Sequence, residues 1–227
     1  MKTKQYYIDN LKVLYEDNHL IVVEKPINVL SQKDDTDDFD INEIVKEYLK
    51  NKYQKPGNVY LGLVHRLDRR VGGVLVLAKT SKAASRLSEA IRNNAVRKYY
   101  IAKVQGKLKC DDSIELNIKK DEKNKIAIVS NEGKPASLDY KVLGYDKENT
   151  FVLVNLHTGR YNQIRVSFSH IGYPIVNDYK YSNCSKNNDE LGLWCYKMII
   201  THPISKEEMV FEDMPQNGIW KRLYIRN

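Results

Sequence analysis

The densest chemical signal in the chain is His65-Arg66-Leu67-Asp68-Arg69-Arg70-Val71-Gly72-Gly73, set between Leu61-Gly62-Leu63-Val64 and an apolar run that starts at Val74. A carboxylate on a turn among cations is favoured in its ionised form, which makes Asp68 a usable nucleophile or base. The same pattern also fits a turn aspartate whose charge offsets Arg66, Arg69 and Arg70, because ion-pair networks look alike at this level. A second stretch, Thr158-Gly159-Arg160-Tyr161-Asn162-Gln163-Ile164-Arg165, is a turn opening a helix that carries Arg165. A guanidinium there can pair with a carboxylate such as Asp68, bind a nucleic-acid backbone, or stand exposed. The third stretch, Arg97-Lys98-Tyr99-Tyr100-Ile101-Ala102-Lys103-Val104, alternates as a strand with cations just upstream. A tyrosine so placed can stack a nucleobase or pack in the core.

Other standard constellations are missing. There is no G-x-x-x-x-G-K-[ST], G-x-S-x-G or H-E-x-x-H, and Gly72-Gly73 is too short for a dinucleotide loop. His65-Arg66-Leu67-Asp68 has a kinase-like look, but neither a D-F-G nor an upstream Gly-rich loop accompanies it. His65 alone reads as a hydrogen-bonded structural residue, with no metal-ligand spacing around it. Cys110, Cys184 and Cys195 cannot pair completely and show no C-x-x-C, which points to a reducing compartment and a metal-free fold.

Positioning these residues requires a folded scaffold, and 227 residues with 42% hydrophobic content can bury a core without disulfides. Leu20 to Glu24 reads as a buried strand ended by Lys25-Pro26. Asp40 with Glu43 forms a capping-box-like start, followed by Ile41, Ile44, Val45, Tyr48 and Leu49 on one helical face. Val74 to Ala78 is a second strand. Thr80 or Ser81 then caps a helix with an Ala84, Leu87, Ile91, Ala95 stripe. Tyr99 to Val104, Ser137 to Leu143, Phe151 to Leu156 and Met198 to Thr201 read as further strands, and Gln163 to Ile171 as a short helix ended by Gly172 and Pro174. No repeat or linker is evident, so the expectation is one mixed α+β domain over residues 1–227, its core about 13–211.

The formal net charge is +8, but Leu61 to Lys109 alone carries +10, while Ser31 to Lys50 holds seven acids against three lysines. The basic segment surrounds Asp68 and suits a polyanionic partner. No signal core or membrane span is present, and a cytoplasmic protein is expected.

Together and in this order, the three stretches resemble the RluA family of pseudouridine synthases. His65-Arg66-Leu67-Asp68 with Gly73 and Ala78-Lys79-Thr80 is similar to the family's H-R-L-D-x-x-T-S-G. Lys98-x-Tyr100-x-Ala102-x-Val104-x-Gly106 is similar to K-x-Y-x-A-x-V-x-G, and Thr158-Gly159-Arg160 with Gln163-Ile164-Arg165 to T-G-R-x-H-Q-I-R. Leu14 to Pro26, Gly172 to Asp178 and His202-Pro203 look like the opening strand pair and the late signatures. Val71-Gly72 replaces Thr-Ser, Asn162 and Ser167 stand where histidines are common, and Trp194 where a histidine often precedes the late strand.

The resemblance implies a mainly antiparallel sheet with flanking helices and a central catalytic cleft. It also implies isomerisation of uridine to pseudouridine in ribosomal or transfer RNA, without metal or organic cofactor. Asp68 would attack the sugar or stabilise its detached centre, Tyr100 would stack on the extruded base, and Arg165 would pair with Asp68. Arg66 would fill the vacated space. His65, Arg69, Lys98, Arg160, Gln163, Lys79, Lys82 and Arg86 would complete the RNA-binding set, with Arg92 beside them. A standalone catalytic domain without the S4 RNA-binding domain of many relatives, acting as a monomer away from membranes, is the expectation. The rival readings are a non-catalytic RNA-binding or RNA-folding protein that keeps the fold, and a basic domain that binds protein.

Overall fold

The structure, a computed structural model, describes residues 2–185, 189–216 and 218–221. Its elements in chain order are α1 (Lys4–Asp9), β1 (Val13–Glu16), β2 (Leu20–Lys25), α2 (Ile41–Tyr53), β3 (Gly62–Leu63), β4 (Gly72–Ala78), α3 (Ser81–Arg92), β5 (Arg97–Gln105), β6 (Asp112–Asp121), β7 (Ile126–Val129), β8 (Lys134–Tyr145), β9 (Asn149–Leu156), α4 (Gln163–His170), β10 (Leu193–Thr201) and β11 (Glu208–Glu212), with a 3₁₀ turn at Gly218–Trp220. The strand pairings within these elements are antiparallel, so the α+β expectation is met. The residues form two compact units, one of 1–96 with 197–214 and the other of 97–196 with 215–227. The chain changes unit just before β5, inside β10 and again after β11, and local sequence patterning does not mark these boundaries.

Unit 1 is organised by β2 and β4, paired from Leu20 with Ala78 to Lys25 with Gly73. All seven residues of β4 are buried, as a continuous apolar run predicts. Gly73 has φ +111, a conformation open to glycine, and it lets the chain turn from the Asp68 loop into this strand. α2 starts as its sequence predicts: Asp40 Oδ1 accepts from Glu43 N at 2.8 Å, while Oδ2 accepts from Lys33 N at 2.7 Å. α3 is capped by Thr80 Oγ1, but it buries Ala83 and Leu87 and ends at Arg92. Of the expected stripe, Leu87 is buried, Ala84 and Ile91 are half-buried, and Ala95 lies beyond the helix.

Unit 2 holds β5-β9-β8-β6-β7 in that order, with Tyr100 opposite Val154. α4 is buried from Gln163 through Phe168; Val166 joins Ile118, Ala127 and Ala136, and the Phe168 ring lies 5.3 Å from Tyr140. β6 was not anticipated, although Ile114, Leu116 and Ile118 alternate there with polar residues. Among the described residues no helix is long and apolar enough to cross a membrane.

The β1–β2 turn of unit 1 rests on Asp17. Its Oδ1 accepts from His19 N and Leu20 N at 2.7 and 2.6 Å, and its Oδ2 lies 3.1 Å from Tyr15 Oη and 2.9 Å from His202 Nε2. Burial pushes this carboxyl up, but the two backbone N–H groups, the tyrosine and His202 outweigh it and hold it below the ordinary 3.8. A depressed carboxyl contributes stability that is present above its unfolded value and lost as pH falls through the folded one. Asp17→Ala is expected to lower the unfolding free energy by about 2 kcal/mol at neutral pH, with the gap from wild type closing in urea titrations run below pH 3.8.

Candidate active site

Unit 1 contributes the Asp68 loop. Asp68 Oδ1 accepts from Arg70 N at 3.0 Å and its carbonyl from Val71 N at 3.0 Å, a compact turn that fixes the direction of the half-buried carboxylate. Ser31, 5% exposed, clamps the residue before it: Oγ donates to Leu67 O at 2.7 Å and accepts from Leu67 N at 3.0 Å. Arg69 binds Asp38 at 2.7 Å, and His65 Nε2 accepts from Val76 N at 3.0 Å. His65 is thus a brace between the motif and β4, as its structural reading held.

Beneath this loop lies Lys25, with 0% exposure. Its ammonium donates to Val29 O at 2.7 Å, Pro26 O at 2.9 Å and Arg69 O at 3.2 Å, three acceptors for three N–H donors. Burial pulls its pKa down to about 7; Asp68 opposes that pull and Arg69 adds to it. Asn28 N also donates to Arg69 O at 2.8 Å. Sequence reading saw in Lys25 only a strand end before proline. Nothing local marks a lysine for burial.

The remaining unit 1 candidates divide by what holds them. Arg66 and Lys82 are exposed and open to a polyanion. Lys79 is not: its ammonium binds Glu16 Oε1 at 2.7 Å and Asp17 O at 2.5 Å, with the side chain 13% exposed. Arg86 donates to Pro203 O at 2.7 Å and fixes the β10–β11 turn. Both side chains are engaged within the fold.

Unit 2 contributes Tyr100 and Arg165. Tyr100 is 8% exposed; burial, with the Cys195 thiol hydrogen-bonded to it, pushes its phenol well above the ordinary 10.0. Lys98 is lowered by burial, and its Nζ lies beside the Thr158-Gly159-Arg160 turn, 3.4 Å from where a Cβ on Gly159 would stand. Gln163, 3% exposed, ties that turn together: Oε1 accepts from Thr158 Oγ1 at 2.8 Å and Arg160 N at 3.0 Å, while Nε2 donates to Ser137 O at 3.1 Å. Arg160 Nε donates to Pro135 O at 2.9 Å. Gln163 therefore shapes the turn.

Arg165 is 2% exposed and held in a fork: Nε and Nη2 donate to Asp178 Oδ2 and Oδ1 at 2.7 and 2.6 Å, and Nη1 to Asn162 Oδ1 at 3.3 Å. Asp178 was noted in the sequence only as the end of a late motif. It is the residue that fixes the guanidinium. Asn162, where a histidine is common, supplies the third contact and adopts φ +50 to start α4.

Residues 19–170 match the profile of a family described as RNA pseudouridylate synthase. The chain belongs to that family. It is 31% identical over 213 residues to the ribosomal large subunit pseudouridine synthase D of Nitrosomonas europaea, covering 89% of this chain and 61% of that one. It is 36% identical over 174 residues to a ribosomal large subunit pseudouridine synthase C of Buchnera aphidicola, covering 74% and 53%. The chain thus spans between half and two thirds of the length of these relatives. A solved structure described as human RNA pseudouridylate synthase domain containing 4 superposes with TM-score 0.77 at 21% identity, covering 94% of this chain and 93% of that one, which shows the same fold.

Two outcomes follow from this geometry. Asp178→Ala leaves a buried guanidinium without its main partner and is expected to cost about 3–5 kcal/mol in chemical denaturation. For Lys25, a base whose folded value is depressed, the unfolded chain keeps a proton that the folded chain has released. Stability therefore rises between about pH 7 and pH 10.5. The stability difference between wild type and Lys25→Met is expected to widen in favour of wild type across that window, read by urea unfolding at stepped pH.

Proposed function

We propose that the protein is an RNA pseudouridine synthase acting on ribosomal or transfer RNA, with Asp68 as the reacting carboxylate. The observation that carries this is the H-R-L-D loop itself. Its aspartate accepts from Arg70 N, and the loop on either side is held by Ser31 at Leu67 and by buried Lys25 at Arg69 O, inside a chain whose family is shown. The names of the relatives speak for large-subunit ribosomal RNA as the nearer choice.

In this reading the N1–C1′ bond of a flipped uridine breaks, the uracil turns in place, and C5 bonds to C1′. The C5 hydrogen leaves as a proton, and N1 ends carrying one. Asp68 serves the sugar centre, by bond formation or by charge. Tyr100 stacks the extruded base, and Arg165, aimed by Asp178, supplies positive charge to the reaction. Arg66, a long planar cation, fills the vacated stack. The motif order of the family supports assigning Tyr100 and Arg165 to the same reaction as Asp68. Exposed Arg66, Lys82 and Arg92 support contact with phosphates. The reading carries a cytoplasmic monomer that needs no metal or organic cofactor.

RNA labelled with tritium at uridine C5 tests it. Wild type is expected to release tritium to water. Asp68→Asn is expected to lower the rate by more than about a thousandfold while still binding RNA in filter assays. Wild type silent on every cellular RNA, or Asp68→Asn at full rate, would instead support a non-catalytic RNA-binding protein.

A further inference from the structure

Asp178 and Tyr181 sit on one turn of unit 2, where Tyr181 N donates to Asp178 O at 3.1 Å. That turn delivers two side chains to the same cation. Asp178 takes Nε and Nη2 of Arg165 in its fork, and the guanidinium carbon lies over the Tyr181 ring, 5.1 Å from its centre. The fork fixes the guanidinium within its own plane, because those hydrogen bonds lie in that plane. It does little against tilting, which an aromatic ring against the cation resists.

The phenol oxygen adds a second constraint. Tyr181 Oη accepts from Asn162 Nδ2 at 3.1 Å, while Asn162 Oδ1 accepts from Arg165 Nη1 at 3.3 Å. An amide turned the other way would set its N–H groups against the guanidinium, donor against donor. Tyr181 therefore selects which end of Asn162 meets Arg165. The tyrosine is itself anchored: Oη accepts from Ala127 N at 2.6 Å, Ser169 Oγ donates to Tyr181 O at 2.6 Å, and the side chain packs on Ile118, Ala127, Ala136 and Val166. Burial raises its phenol above the ordinary 10.0, so the ring stays neutral beside the cation.

We propose that Tyr181 is a positioning residue for the pseudouridylation reaction, its ring keeping the Arg165 guanidinium from tilting and its oxygen turning Asn162 toward that guanidinium. The inference rests on the RNA reading above, in which Arg165 serves the reaction. Arg165 is then aimed by a pair, the Asp178 carboxylate acting in its plane and the Tyr181 ring across it. Tyr181 lies outside every motif read from the sequence.

Two readouts on the full chain test it. The first needs no turnover: the Nε–H signal of Arg165 in the ¹⁵N-labelled protein, assigned by its loss in Arg165→Lys, is followed by hydrogen exchange. Tyr181→Leu is expected to speed that exchange about tenfold or more, and Tyr181→Phe, which returns the ring, to recover most of the protection. The second is tritium release from RNA labelled at uridine C5. Tyr181→Leu is expected to lower kcat about tenfold or more with KM for the RNA unchanged, and Tyr181→Phe to recover most of the rate. Where Tyr181→Leu does not fold, Tyr181→Met, longer and nearer the ring in reach, carries the same comparison. The proposal is overturned if the non-aromatic variant exchanges as wild type does, if it raises KM and leaves kcat in place, or if Tyr181→Phe behaves like it. The exchange contrast in a wild type that releases no tritium rejects the enzymatic reading and leaves the hold on Arg165 standing. Tritium release without the exchange contrast rejects the role of Tyr181 alone.

Discussion

A buried ammonium must give each of its protons to an acceptor, and Lys25 gives its three to Pro26, Val29 and Arg69. Water cannot substitute at 0% exposure. The loop after β2 and the loop carrying Asp68 are therefore fixed by one charged group, and the rest of the H-R-L-D motif depends on that link. Ser31 lies in the first loop and clamps Leu67 in the second, so the two contacts reinforce each other. The same charge acts on Asp68 electrostatically, opposing the burial that draws Lys25 towards its neutral form.

Much of the basic excess around the motif turns out to hold the fold. Lys79 binds Glu16, Arg69 binds Asp38, Arg86 binds a carbonyl at the β10–β11 turn, and Lys103 is buried against Asp146 at 2.6 Å. Arg165 is fixed by Asp178 in a bidentate pair deep in unit 2. The cations left on the surface near the motif, Arg66, Lys82 and Arg92 among them, are fewer than the charge count suggests. On the proposed reading, RNA would be recognised through shape and base contacts as well as phosphate, which is how single-stranded and looped RNA is commonly read.

Local rules explain which parts were legible in the sequence. β4 as an apolar run, α2 from Asp40 and the Thr80 cap were readable because each depends on neighbours within a few residues. β6 carried the alternation of Ile114, Leu116 and Ile118, a signal present but not taken up. The motif order located Asp68, Tyr100 and Arg165, whereas the residues that hold them were invisible. Lys25 looks like a strand end, Ser31 like a loop serine, and Asp178 lies 13 positions from Arg165. Their roles exist only once distant segments meet, as does the engagement of Lys79 and Gln163, which the family resemblance assigns to RNA. The division into two units rests on contacts between distant segments, which local patterning does not carry.

The most direct test of the central claim, that Asp68 on its clasped loop converts uridine in RNA, is carbodiimide mapping of pseudouridine in total RNA from cells lacking this protein, restored with either wild type or Asp68→Asn. The account predicts at least one site that disappears on deletion, returns with wild type and stays absent with Asp68→Asn. Identical maps in all strains, or a site restored by Asp68→Asn, would contradict it.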